Sequence, residues 1–235
     1  MAYLSFISDA ELKAEVKHLI DTARNAQVQA QNKFGKNIID PFSAMFEISG
    51  FGMNHDEWVV TETTRQSQKT LQNHIGAFHQ KVLGKVINWQ DMDTGSVIDL
   101  VNEHEKIIAE VKNKYNTISG GQLSKLYYTL EDQVMPKVSK YKGYTAYYAA
   151  IIPRKAIRSN QPFMPSDKDK GAKCAENSLI REIDGASFYE LVTGDAGALE
   201  DLYDILPTVI EDVIGGNYQL QDKVLLKEYF SKAFG

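Results

Sequence analysis

Cysteine is almost missing from this chain of 235 residues: Cys174 stands alone. That excludes an intramolecular disulfide framework and any zinc site built from several cysteines. Six prolines and sixteen glycines are too few for a collagen-like or low-complexity chain. No apolar run approaches the roughly 20 residues of a membrane span, because Asp, Glu, Lys or Arg interrupts every candidate. The opening MAYLSFISD has no basic stretch and reaches Asp9 too early for a secretory leader, so the expectation is a cytoplasmic protein with no membrane partner. His18, His55, His74, His79 and His104 never form H-E-x-x-H. The phosphate-binding G-x-x-x-x-G-K-[ST] and the dinucleotide G-x-G-x-x-G are both absent, as is a G-x-S-x-G elbow, so a nucleotide cofactor is not expected. What remains is 43% hydrophobic, ample for a buried core, and is read as a single domain over 1–235.

The net charge of −5 argues at first against a polyanionic partner. The distribution is less even. Between Pro153 and Arg181 stand Arg154, Lys155, Arg158, Lys168, Lys170, Lys173 and Arg181, against Asp167, Asp169 and Glu176. A basic loop on an acidic body suits a polyanion, and it equally suits a solvated surface loop. Charge alone leaves both open.

Local signals divide the chain. Ser8-Asp9-Ala10-Glu11 has capping-box spacing and opens a helix running to about Phe34, with Leu12, Val16, Leu19, Ile20 and Ala23 as its buried stripe. Asp40-Pro41 starts a second helix, whose apolar face is Phe42, Met45 and Phe46. Asn54 caps a long helical stretch, one helix or two, closing at Gly84. After Trp89 the pattern changes. Ser96–Val101 and Lys106–Lys114 read as strands around the turn Asn102–Glu105. A helix follows Gly120-Gly121, and Tyr144–Ile152 reads as a central strand. The basic segment carries Pro153, Pro162 and Pro165 and reads as a loop. Leu179–Ile183 is a short strand, Asp184-Gly185 leads a helix to Gly194, and two more helices span Leu199–Ile214 and Leu220–Phe234. The divisions are a helical part over 1–88, a core over 89–195 with the loop 153–181, and C-terminal helices over 196–235.

The hairpin carries the chemistry. Side chains alternate along a strand, so Glu110, Lys112 and Lys114 share one face. A turn centred on Glu103-His104 pairs Asp99 with Ile108 and makes Glu110 its diagonal neighbour, roughly 7–8 Å away and on the same face. Two carboxylates among apolar strand residues repel one another unless a cation sits between them, and oxygen ligands of this kind suit Mg²⁺. Lys112 beside them can orient an attacking water or offset charge on a phosphate. The spacing D-x10-E-x-K is also common on solvated strand faces.

The passage GSVIDLVNEHEKIIAEVKNKYNT resembles the PD-(D/E)xK nuclease signature, with Ile98 in place of the naming proline. AYLSFISD, NIIDPFSAMFE, QKTLQNHIGAFHQKVLG, YKGYTAYYAAIIP, PFMPSD and IREIDGASFYELVTGD extend the likeness through most of residues 2–214. Together these blocks are similar to a type II restriction endonuclease family that cleaves double-stranded DNA at GGNCC. The resemblance implies an α/β fold with an αβββαβ mixed sheet flanked by helices, extra N- and C-terminal helices, Mg²⁺ dependence and a homodimer. It implies Asp99, Glu110 and Lys112 as the catalytic residues, with Asp99, Glu110 and the Val111 carbonyl as metal ligands. Glu47 would be an auxiliary acid, Lys114 a phosphate contact, and Gln72, Asn73 and His79 lining of the DNA cleft. For a GGNCC reader the basic loop offers Arg154, Lys155, Arg158 and Asn160 toward bases and Lys168, Lys170 and Lys173 toward phosphates. Asp167 and Asp169 are its candidates for cytosine. Two other functions fit the same core: a structure-specific repair or junction nuclease, and a DNA-binding protein that has lost activity.

Overall fold

In the computed structural model, which describes residues 2–93 and 95–235, the helix starts lie where their caps place them. Helix α1 (Asp9–Lys33) opens on the reciprocal Ser8–Glu11 box, and α2 (Pro41–Phe51) on Asp40, which accepts from the Phe42 and Ser43 amides. Helix α3 (His55–Leu83) opens on an Asn54–Glu57 box and is one continuous helix, which settles the count left open by the sequence. The strands are β1 (Gln90–Asp91), β2 (Leu100–Asn102) and β3 (Ile107–Lys114). Helix α4 (Gly120–Val134) then crosses to β4 (Thr145–Ile152). After it come β5 (Asn160–Pro162), β6 (Ser166–Asp167), β7 (Ala172–Lys173), β8 (Ile180–Asp184), α5 (Gly185–Thr193), α6 (Ala198–Ile214) and α7 (Lys223–Phe234).

The six-stranded sheet runs β1-β2-β3-β4-β8-β5. β1, β2 and β3 form an antiparallel meander, β4 is parallel to β3 and β8, and β5 is antiparallel on the edge. A mixed sheet flanked by helices is therefore observed, and α3-β1-β2-β3-α4-β4 has the expected element order. The basic segment is more ordered than a proline-bearing loop. It supplies the edge strand β5, which ends at Pro162 and is followed by one more bond to β8 from the Phe163 N–H to the Ile180 carbonyl, and the separate β6–β7 hairpin.

Strand alternation divides the interior. Leu100, Ala109, Val111, Tyr147, Ala149, Ile151 and Ile183 meet α1, α3, α5 and α6 on one face. Ile108, Ala146, Tyr148, Ala150 and Ile180 meet Tyr127, Leu130 and Val134 of α4 on the other. Cys174 is buried in this second layer, a packed small apolar group rather than part of an exposed loop. The expected apolar face of α2 is not covered: Phe42, Met45 and Phe46 remain 72%, 62% and 73% exposed. No helix among the described residues is long and apolar enough to cross a membrane.

On the α3 side, the Tyr189 hydroxyl lies 2.8 Å from Nδ1 of His79, whose ring is partly covered. Burial lowers the His79 pKa from 6.5 to about 4, so the folded protein keeps the ring neutral where the unfolded chain protonates it. Between those values the unfolded state binds more protons, and stability therefore falls as pH falls. We expect a loss on the order of 1–2 kcal/mol from pH 7 to pH 5 that His79→Phe removes, read as the difference between their denaturation midpoints at the two pH values.

Candidate active site

The hairpin register differs from the sequence expectation by two residues. Leu100 pairs with Ala109, Val101 with Ile108 and Asn102 with Ile107; Asp99 precedes the ladder, its N–H bonded to the carbonyl of Ala109, the residue that Leu100 already faces. A shift of two preserves the face of every paired side chain, so Glu110 and Lys112 keep the face expected of them, and Asp99 reaches the same lysine from the bend before the strand. Their face is that of Ile108, Tyr148 and α4. Strand β2 itself is shorter than expected. The chain bends through 97–99 after Gly95, which takes a φ of 103°, and enters the ladder only at Leu100.

Backbone contacts hold Asp99 in place. Its N–H donates to the Ala109 carbonyl at 2.9 Å, and its own carbonyl accepts from the Met92 amide at 2.9 Å. Its side-chain Oδ2 accepts from the Val111 N–H at 2.7 Å. Gln80 of α3 donates both to Asp91 Oδ1, at 2.6 Å, and to the Asp99 carbonyl, at 3.3 Å. Gln80 and Asp91 were not foreseen, because nothing in their local sequence separates them from solvated polar residues.

Lys112 Nζ sits 2.5 Å from Glu110 Oε1 and 3.7 Å from Asp99 Oδ2. The side chains of Lys112, Asp99 and Glu110 are 27%, 21% and 16% exposed, open enough to meet a ligand and covered enough to feel one another. Burial raises the Asp99 pKa, Lys112 and the Val111 amide oppose the shift, and Asp91 adds to it. Glu110 is raised by burial and then by the Asp99 charge, with Lys112 opposing. For Lys112, burial acts downward, but Glu110 and Asp99 outweigh it and its pKa ends raised, so it is a cation at neutral pH. Two acids that resist joint ionisation, with a cation between them, form a site where added positive charge is favourable.

Among the described residues no three His, Cys, Asp or Glu side chains converge. Two carboxylates with a neighbouring backbone carbonyl suit a hard cation that keeps its waters, and do not suit a closed zinc cage.

The remaining candidates scatter. Glu47 accepts from the Trp58 indole at 2.8 Å and from Ser43 at 2.8 Å. Trp58 and Gln80 lie at opposite ends of α3, roughly 30 Å apart at 1.5 Å per residue, so Glu47 is not brought to the trio. Gln72 and Asn73 are exposed on α3, a helix that covers the opposite sheet face, and His79 turns toward Tyr189. Lys114 is exposed at the end of β3 on the Lys112 face. Arg154 and Lys155 line a groove of about 560 Å³ together with Tyr148, Gln161 and Glu182. Arg158 is tied to Glu190 and to the Ala196 carbonyl, and Asn160 accepts from Arg181 at 2.6 Å. Lys168 and Lys173 are exposed at the β6–β7 hairpin, while Lys170 rests 4.4 Å from the centre of the Tyr128 ring. Asp167 is buried, accepting from Tyr128 and from the Asp169 and Lys170 amides, so it shapes its own turn; Asp169 is exposed.

The profile of the Eco47II restriction endonuclease family matches residues 4–215. The type II restriction enzyme Eco47II of Escherichia coli is 48% identical over the full length of both chains. The type II restriction enzyme Sau96I of Staphylococcus aureus is 29% identical over 90% of this chain and 81% of its own. A family profile spanning nearly the whole chain and a full-length relative at this identity place the hairpin in a known kind of protein: the chain belongs to the Eco47II restriction endonuclease family, a family of type II site-specific nucleases.

Proposed function

We propose that this endonuclease cuts both strands of DNA at GGNCC, through Asp99, Glu110 and Lys112 of a PD-(D/E)xK core, leaving 5′-phosphate ends. The observation that carries the reading is the convergence of two partly buried carboxylates on one lysine, on one face of the β2–β3 hairpin. Asp99 and Glu110, with the Val111 carbonyl, would hold Mg²⁺. Bound there, the ion supplies Lewis-acid charge to the scissile phosphate and the leaving oxygen. The protein does the rest. The Val111 amide, donating to Oδ2, keeps the Asp99 carboxylate from swinging away, and Lys112 sits between it and Glu110. Lys112, which contacts both acids, would direct its ammonium toward the phosphate and the attacking water. Arg154, Lys155, Lys168 and Lys173 are the free cations for the DNA backbone and bases, and Lys114 extends the positive face along β3. A two-fold site such as GGNCC calls for two copies of the chain, one centre per strand.

The test is cleavage of two short duplexes in Mg²⁺, one carrying GGNCC and one with a single specified base changed. We expect a difference in rate of about 10- to 100-fold, matching the roughly 1–3 kcal/mol that one mismatched base pair costs a DNA reader. Equal cutting of both duplexes, or of branched DNA alone, would reject the site.

A further inference from the structure

Beyond the trio, one row of residues crosses the sheet. Glu110 on β3 is in register with Tyr148 on β4, Tyr148 with Glu182 on β8, and Glu182 with Gln161 on the edge strand β5. Register partners project to the same face, so the row runs from the candidate cutting centre into the groove bounded by Arg154 and Lys155. Glu110 and Glu182 are two strand spacings apart, roughly 10 Å.

The groove floor combines carboxylate and amide acceptors with a buried hydroxyl. Glu182 offers two carboxylate oxygens and accepts from the Gln161 amide. One of its two amide N–H groups is used on Glu182, which leaves Gln161 with its carbonyl oxygen and a second N–H. Asp184, the next acid on the strand, is occupied: it caps α5 through the Ser187 amide and accepts from Ser159. Beneath them Tyr148 is 5% exposed, and its hydroxyl is buried with no hydrogen-bond partner among the described residues. A buried hydroxyl left without a partner is costly, and it marks the groove as built around a polar ligand.

A carboxylate on the floor repels phosphate, so Glu182 is out of place as a backbone contact. It matches a base edge that presents N–H. In the major groove guanine offers only N7 and O6 acceptors, whereas cytosine offers the N4 amine. We infer that Glu182, oriented by Gln161, accepts a hydrogen bond from the N4 amine of a cytosine in the recognition sequence, while Arg154 and Lys155 hold the flanking strand. This rests on the GGNCC reading, in which cytosine is the only specified base that presents an amine there.

The inference is tested by equilibrium binding in Ca²⁺ to a GGNCC duplex and to duplexes in which one cytosine at a time is replaced by 2-pyrimidinone, which lacks only the 4-amino group. The wild-type protein should lose about tenfold or more in affinity at one cytosine position. Glu182→Ala should bind the unmodified duplex more weakly by a similar factor and be indifferent to the replacement at that position. Glu182→Met, which keeps the length of the side chain and lacks an oxygen acceptor, should retain the wild-type melting temperature and lose the same discrimination, which separates base reading from a folding defect. The inference is overturned if Glu182→Ala binds the unmodified duplex like wild type, if it loses a further tenfold at the same cytosine, or if no cytosine replacement affects the wild-type protein. Failure of the underlying reading looks different: the wild-type protein would show no preference for the GGNCC duplex over a scrambled one.

Discussion

Replacing Lys112 by alanine should lower the single-turnover cleavage rate by about 10³-fold while leaving DNA affinity within a few-fold of wild type. A positioned lysine that stabilises charge in the transition state and orients the nucleophile contributes roughly 10²–10⁴ in rate. Its side chain is only 27% exposed and is spent on Glu110 and Asp99, so it adds little to the attraction of the DNA backbone. Glu110→Gln should fall by a comparable factor for a different reason: it removes one of the two charges that would hold the metal. Because the three groups act as a unit, the double variant Glu110→Gln/Lys112→Ala should be little slower than the worse single one. Rates of an end-labelled duplex beside binding isotherms of the same duplex check all of this. A fall in affinity parallel to the fall in rate would instead make Lys112 a DNA anchor.

The largest effect on stability is expected at Gly185, the first residue of α5. A side chain there would place its Cβ 2.7 Å from the Cα of Ile151 and closer still to that residue's carbonyl oxygen. Ile151 lies in β4, bonded on one side to β3 and on the other to β8, so the obstacle is central backbone that cannot move without breaking the ladder. Gly185→Ala should therefore cost about 3 kcal/mol, the upper end for overpacking, and lower the melting temperature by roughly 6–12 °C for a chain of this size. Gly121→Ala is the matched control. Nothing lies within 4 Å of the added methyl in α4, and alanine there should be neutral or stabilising by up to about 1 kcal/mol. Thermal unfolding of the two variants together decides it. A Gly185→Ala midpoint within 2 °C of wild type, on the order of the shift for less than 1 kcal/mol, would mean the helix start can move.

The sequence was most legible where a signal is local. Ser8 with Glu11, Asp40 with Pro41, and Asn54 with Glu57 each act within one helical turn, and α1, α2 and α3 begin where these residues put them. The face of Glu110 and Lys112 was legible because side-chain parity survives an even shift; Asp99 lies in the bend before β2, and its place comes from its own hydrogen bonds. The register itself was not, since apolar alternation fits either of two ladders that differ by two residues and the turn through 103–106 decides between them. Strands β1, β6 and β7 contain two residues each, too few to show any period. In the candidate site, Asp99, Glu110 and Lys112 stand out through the family resemblance of the hairpin, since their spacing alone also fits a solvated strand face. Gln80, Asp91 and Glu182 acquire their places only from contacts made across the sheet, between α3 and β1 or between β8 and β5. The positive charges of the basic segment were visible, but their partners were not. Arg158 reads as a free base-reading arginine until Glu190, 32 residues away, is found beside it.

The central claim is that the hairpin trio cuts DNA with a bound metal. The most direct measurement is a digest of one sequenced plasmid by purified wild-type protein and by Lys112→Ala, each in Mg²⁺ and in EDTA, with fragment ends read by sequencing. The account predicts discrete fragments ending at GGNCC for the wild-type protein in Mg²⁺, and intact plasmid in the other three lanes. Cutting by Lys112→Ala at a rate near wild type, or cutting that persists in EDTA, would contradict it.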